Sequence, residues 1–351
     1  MSRNDSAGSG LATPRKRRTH WIGRVIRWGY HGTVVCLLVL IAGELFARYG
    51  LGLGDPPLTV VDPEVGYMFA PNQDVYRFGN HVMYNAFSMR SESFPPHKSS
   101  RDELRVMVIG DSVVNGGALT DQNDLATEHL KRRLREKLGR QVIVGNISAG
   151  GWSPSNEWNY VRRFGLFDAD VVVIVESSHD ARGDEGFGPQ GVDFPTRRPV
   201  LALSEIWERY LPRYFPMFSR EKPGVPGSGA SIPDDTVPLD TDDLKQLIGA
   251  ARGAGAEVVV ALHPDAKEFA GEWEEGHALM RQAAEEAGVE TLIELKPHYQ
   301  QAGQKGVTIH RDGIHLSPAG HGVLADVLEP VVYELLAKRV GSEKPRAAPA
   351  R

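Results

Sequence analysis

From residue 104 onward the chain alternates short apolar runs with amphipathic stretches. Residues 106–109, 142–144, 171–175, 257–262 and 289–293 read as buried strands, and 171–175 is an unbroken run of Val and Ile. Between them, Ala126, Leu130, Leu134 and Leu138 recur at helical spacing, and Gly139 follows as a C-cap. Further helices are predicted over residues 242–251 and 268–287. A final helix opens at Ser317-Pro318, an N-cap and first-turn pair, and would bury Leu324, Val327, Leu328, Val331 and Leu335. Strands alternating with helices predict an α/β fold with a parallel sheet covered on both faces, a three-layer α/β/α arrangement. Upstream, residues 55–100 are rich in Pro, Asn, Tyr and Ser without a helical period, and short strands are predicted at 74–78 and 81–84. Residues 181–240 form a Pro- and Gly-rich insertion with one helix around residues 203–210.

The N-terminal pattern is different. Residues 33–43 are almost wholly apolar, and with residues 29–31 before and 45–47 after them the stretch approaches bilayer length. Arg15, Lys16, Arg17, Arg18, Arg24 and Arg27 crowd the preceding segment, and Asp5 is the only acid before Glu44. A basic flank before an apolar stretch fits a signal anchor or a cleaved signal peptide; a buried helix is the third reading. Glu44, Phe46 and Arg48 interrupt the small-x-small pattern that cleavage needs. A single-pass anchor in the cell (inner) membrane is therefore expected, with the basic end inside and the remainder extracytoplasmic, or periplasmic.

Composition narrows the picture further. A net charge of −5 over 351 residues gives no general attraction to nucleic acid, and no nucleic-acid module, phosphate-binding glycine loop or zinc-finger spacing is visible. Cys36 is the only cysteine, so no intrachain disulfide forms.

In an open parallel sheet, ligands bind beyond the carboxyl ends of the strands. Gly110-Asp111-Ser112 falls there, directly after strand 106–109. A serine hydroxyl is a weak nucleophile until a base takes its proton. Asp312 and His315, three apart in the loop before the last helix, can supply carboxylate and imidazole together. Taken alone, each motif has a bland reading as a turn or a surface pair; their placement at strand ends raises them. His310, Asp312 and His315 also admit a metal-ligand reading, but no second His/Asp cluster lies at a matching spacing, and no metal or cofactor is expected. His263-Pro264-Asp265 sits on the same edge and reads first as a strand-ending turn. Trp152 and Trp158 read first as core packing.

With these motifs in place, residues 104–338 resemble the SGNH, or GDSL-like, hydrolase superfamily. Gly110-Asp111-Ser112 matches its nucleophile block, and Asp312 and His315, followed by Leu-Ser-Pro-Ala-Gly, match its last block. The resemblance implies a flavodoxin-like sheet, with Ser112, Asp312 and His315 as a catalytic triad. It also implies an oxyanion hole from the N–H groups of Ser112 and a glycine after the second strand. Of Gly150 and Gly151, Gly151 is the expected donor. The family's third block carries an Asn followed by Asp; here His179-Asp180 stands there, and His179 is the expected third donor, with capping of a loop as the alternative.

The resulting division is a basic cytoplasmic tail (1–28), an anchor (29–49), a juxtamembrane lead-in (50–103), a hydrolase-like domain (104–340) carrying the insertion as a cap, and a disordered tail (341–351). The implied function is a serine ester hydrolase acting on O-acyl, above all O-acetyl, esters through an acyl-enzyme. Its expected partners are an acyl-ester substrate, polysaccharide included, and the membrane. Two alternatives stay open: an O-acyltransferase modifying a cell-surface polysaccharide, and a catalytically degenerate relative that binds glycan.

Overall fold

A computed structural model describes residues 17–181, 194–215, 241–271 and 275–342. The apolar N-terminal stretch forms one helix, α1 (Arg17–Leu45), continued by a wider turn over Phe46–Gly50. Residues Trp21–Gly50 are long and apolar enough to cross a membrane, and large side chains such as Trp28, Leu38 and Ile41 stand exposed along them. The far end of the helix is built into the rest of the molecule: Ala47 and Leu53 are buried with Ala202.

Two antiparallel hairpins follow. β1 (Thr59–Asp62) pairs with β2 (Gly66–Phe69), and β3 (Gln73–Arg77) with β4 (Asn80–Tyr84). The second matches the alternation in the sequence; the first was not anticipated. Val65, Tyr67 and Met68 from the first hairpin, with Met89 and Phe94 beyond the second, enter the main hydrophobic core. This lead-in is therefore packed onto the sheet and carries several aromatic rings to the edge where Ser112 lies.

The main sheet has five parallel strands: β5 (Leu104–Gly110), β6 (Val142–Ser148), β7 (Val171–Ser177), β8 (Glu257–His263) and β9 (Thr291–Glu294), in the order β6-β5-β7-β8-β9. Its alternating residues feed two separate cores, as the period of two along a strand requires. Met107, Ile109, Val172, Ile174, Val258 and Val260 face one core, which includes residues of α4 (Pro154–Phe164), α7 (Asp242–Gly253) and α9 (Glu275–Glu286). Val106, Val108, Val171, Val173, Val259 and Ala261 face the other, with α3 (Ala126–Leu138), α10 (Leu295–Gln304) and α11 (Pro318–Ser342). This is the three-layer α/β/α arrangement predicted from the alternation.

Three elements depart from the sequence pattern. The helix predicted over 268–287 is divided into α8 (Ala266–Ala270) and α9, because Asp265 and Glu268 form a capping box that starts a short helix early. Gly271, at φ +137°, takes the chain out of it. α4 was missed although Ser153-Pro154 is the same cap-and-first-turn pair as Ser317-Pro318; its polar composition masked the period. In the insertion, the helix expected around 203–210 is α5 (Ala202–Glu205), a wide turn over Ile206–Tyr210, and α6 (Leu211–Tyr214). The remainder of the insertion, and the two tails, lie largely outside the described residues.

Candidate active site

β5 is flanked by β6 on one side and β7 on the other, so the crevice beyond its carboxyl end is the switch point of the sheet. The chain leaves β5 through Gly110, where a Cβ would lie 2.5 Å from Val114 Cγ2 and 2.9 Å from the Val175 carbonyl oxygen, so only glycine fits. Asp111 then caps α2 (Ser112–Asn115), its carboxylate accepting the Val113 N–H at 2.8 Å. Ser112 is thereby presented at the first position of a one-turn helix. Asn115 holds this turn in place: its amide donates to the Ser148 carbonyl at 2.9 Å and its side-chain oxygen accepts the Tyr84 hydroxyl at 3.1 Å.

The loop before α11 comes to meet it. Ser112 Oγ lies 3.0 Å from His315 Nε2, and His315 Nδ1 lies 2.8 Å and 3.0 Å from the two Asp312 oxygens. Asp312 also accepts the backbone N–H groups of Ile314 and His315, at 3.0 and 2.8 Å. Burial works against the charge on Asp312, but these N–H groups and the His315 ring outweigh it and hold the carboxyl at about 2. An ionised Asp312 fixes the proton on Nδ1 and leaves Nε2 to accept the serine proton. His263 supports the loop from behind, with Nε2 2.9 Å from the Ile314 carbonyl. Burial, and then the neighbouring His310 ring, push His263 down to about 3, so it is a neutral ring that donates to that carbonyl. Asp265 heads α8, and the Ala266 N–H next to it donates to the Gly313 carbonyl at 2.8 Å. The triplet His263-Pro264-Asp265 is thus a brace for the Asp312–His315 loop.

Gly150 and Gly151 follow β6 beside the nucleophile, where the oxyanion glycine was expected. A Cβ on Gly150 would lie 3.9 Å from Ser112 Cβ and 3.5 Å from the Tyr67 hydroxyl, whereas one on Gly151 would meet nothing within 4 Å. Gly151 is exposed, at φ +71°. The Tyr67 hydroxyl donates to the Gly150 carbonyl, which fixes the peptide group that carries the Gly151 N–H. Trp152 is buried, its indole N–H donating to the Tyr67 carbonyl at 3.0 Å, and Trp158 packs partly buried against the core.

His179 stands beside the serine turn with its Nε2 turned to carboxylates, 3.3 Å from Asp111 Oδ2 and 3.1 Å from Asp180 Oδ1. The three side chains offer donor atoms within 4.8 Å of one another, a set a metal ion can accept. Behind them Glu157 and Glu176 are fully buried. Burial raises both glutamates well above the carboxylate range, each reinforced by neighbouring acids. Burial likewise raises Asp180, to about 7 against the pull of His179. Asp111, equally buried, is held below its ordinary value by its bonds to His179 and the Val113 N–H.

A cavity of about 150 Å³ opens over Ser112 and His315. Phe69, Tyr84 and Phe194 supply apolar wall, and Arg77, Arg209 and Arg311 supply charge. None of these six stood out in the sequence, because they come from a hairpin, the insertion and the loop before α11, and each lacks a local motif.

The model of a GDSL-like lipase/acylhydrolase family matches residues 108–323, more than half of the chain, and spans Ser112, Asp312 and His315. No curated protein matches. Solved structures similar to this chain include that of TesA, at 16% identity over 66% of this chain and 99% of that one, TM-score 0.41. A lipase/acylhydrolase from Enterococcus faecalis shares 14% identity over 70% of this chain and 100% of its own, TM-score 0.40. An acetyl xylan esterase, AlAXEase, shares 15% over 65% and 100%, TM-score 0.40. The chain belongs to the GDSL-like lipase/acylhydrolase family, the ester-hydrolysing enzymes of the SGNH type.

Proposed function

We propose that this protein cleaves short-chain O-acyl esters, O-acetyl esters foremost, through an acyl-enzyme on Ser112. The observation that carries the reading is the continuous line from Ser112 Oγ to His315 Nε2 at 3.0 Å and from His315 Nδ1 to Asp312 at 2.8 Å. Ser112 attacks the ester carbonyl as His315 takes its proton; His315 then delivers that proton to the leaving alcohol. The negative charge on the tetrahedral oxygen is received by the N–H groups of Ser112 and of the Gly150-Gly151 turn. His179, its Nε2 engaged by Asp111 and Asp180, positions the serine turn from the side. Water repeats the cycle and frees the acid.

Two features support the finer parts of the proposal. The cavity of about 150 Å³ sets Phe69, Tyr84 and Phe194 beside Ser112 and His315, an apolar wall against which a short acyl group packs. α1 acts as a retained anchor, because the Glu44 carboxylate accepts the N–H groups of Ala202 and Leu203 at 2.9 and 3.0 Å, and cleavage upstream of Ala47 would take that partner away. The basic residues before α1 then keep that end inside, and residues 104–340 work on the outer side with the insertion as their cover.

The test uses the full chain in detergent. A serine-directed fluorophosphonate should label Ser112, as read by peptide mass spectrometry, and 4-nitrophenyl acetate should be hydrolysed faster than the octanoate. Absence of an adduct at Ser112 would overturn the mechanism; a preference for octanoate would overturn the acyl size.

A further inference from the structure

Resting on the reading of α1 as a retained anchor, we propose that residues 200–210 lie on the outer lipid surface, with Val200, Leu201 and Trp207 set into the boundary between headgroups and acyl chains. The height of this segment follows from α1. Arg24 and Arg27 belong with the inner headgroups, so the hydrocarbon layer begins near Trp28. A helix crosses its ~30 Å in about 20 residues, which brings the outer boundary to Ala47. The insertion is fastened to α1 at this level. Arg48 donates to the Val200 carbonyl at 3.1 Å, and Glu44 accepts the N–H groups of Ala202 and Leu203. The Leu203 side chain lies 3.9 Å from where a Cβ on Gly43 would stand. Residues 200–203 therefore run down α1 into the lipid boundary, from the level of Arg48 to that of Gly43.

The side chains at this level divide as such a boundary demands. The polar groups close on one another: Arg48 also holds the Glu44 carboxylate, at 2.9 Å, and a charge at this depth is tolerated when it is paired in this way. The apolar groups face out. Val200 is 90% exposed, Trp207 58% and Leu201 52%, and Phe46 and Tyr49 stand exposed at the same height on the continuation of α1. Aromatic rings with a polar edge are the side chains that favour the membrane–water interface. The patch continues the flank of α1 that the bilayer already covers, which makes lipid its occupant. The inner side of the segment is committed to the protein. Leu203, Ile206 and Tyr210 pack against the cluster of Ala47, Leu53 and Ala202; Glu205 pairs with Arg77; and Arg209 lines the cavity over Ser112. One short element thus meets lipid on one side and forms pocket wall on the other, which holds the catalytic cavity at a fixed height over the bilayer.

The test uses full-length protein in lipid nanodiscs, spin-labelled at single cysteines. Collision with oxygen, which dissolves in acyl chains, is compared with collision with a water-soluble nickel chelate. Cys36 is the only native cysteine, so Cys36→Ser provides the background for Val200→Cys and Trp207→Cys. Lys338→Cys, exposed near the end of α11, is the water reference. The oxygen-to-nickel ratio at both test positions should exceed that reference by about five-fold or more. The exposure of Val200 and Trp207 lets a label sit there without repacking. A ratio at either position no higher than the reference would overturn the proposal, as would low collision with both reagents, the sign of a covering protein. Failure of the anchor reading is read separately, from a label on native Cys36: a water-type ratio there would overturn the anchor itself.

Discussion

The two adjacent glycines give the sharpest test of the oxyanion site, because a methyl group meets opposite conditions at each. Gly150 does not have left-handed backbone, and an added methyl would meet the Tyr67 hydroxyl at 3.5 Å and Ser112 Cβ at 3.9 Å, ordinary contact distances. Gly150→Ala should therefore fold almost as well as the native chain. Its methyl would stand in the cavity beside the nucleophile, where the carbonyl oxygen must turn as it becomes tetrahedral. If that crowding removes the benefit of one oxyanion donor, kcat falls by about 10²–10³-fold, or roughly 3–4 kcal/mol in the barrier. Gly151 is the reverse case. Its surroundings are open, but at φ +71° an alanine is strained by about 1–2 kcal/mol. For a chain of this size that lowers the melting temperature by only a few degrees, roughly 2–4 °C per kcal/mol. kcat and KM on 4-nitrophenyl acetate, with thermal melts of both proteins, separate the outcomes. A Gly150→Ala enzyme that keeps its kcat would refute the placement of the oxyanion beside Gly150.

Replacing Asp312 with Asn should lower kcat by about 10³–10⁴-fold while leaving the fold intact, since an amide no longer dictates the His315 tautomer; the same chromogenic assay measures it. Because folding depresses the Asp312 pKa to about 2, the stability it contributes is present above the unfolded carboxyl range and is lost as pH falls through about 2. Native protein should thus lose stability on acidification toward pH 2 more steeply than Asp312→Asn, as denaturant unfolding at stepped pH will show. The buried pair Glu157 and Glu176 carries the opposite sign. Their folded pKa values are raised, so the folded state holds protons that the unfolded chain has released, and stability falls as pH rises above about 4.5. Each retained proton contributes a slope of about 1.4 kcal/mol per pH unit, and Glu176→Gln should remove one such increment between pH 5 and 7. An unchanged slope would show that the pair is ionised. For the anchor, intact-mass analysis of the purified protein should find the chain uncut through Glu44, and a mature N-terminus beyond Ala47 would overturn its retention.

How much of this could be read from the amino-acid order depends on how far each group's partners lie along the chain. The triad was legible because each half is a local device. Gly110 and Asp111 turn a strand into a helix cap, and Asp312 reaches His315 within one turn, so only the junction at 3.0 Å spans 203 positions. The parallel sheet was legible for a similar reason, since runs such as Val171–Val175 need only their own composition to declare a doubly covered strand.

The support of the Gly150-Gly151 turn was not local. The Tyr67 hydroxyl that holds the Gly150 carbonyl comes from a hairpin 83 residues away whose two strands carried no strong signal. The surroundings of His179 were hidden for the same reason: its Nε2 faces Asp111, 68 residues earlier, as well as its neighbour Asp180. The arginines of the pocket were invisible altogether, for Arg77, Arg209 and Arg311 share no segment and meet only because the lead-in hairpin and the insertion fold over the same strand end. Reaction chemistry is therefore written in short motifs at strand ends, whereas substrate selection is written in contacts between segments that are far apart. A relative that keeps Ser112, Asp312 and His315 but replaces Phe69, Tyr84 or Phe194 should retain ester cleavage and change the acyl group it accepts.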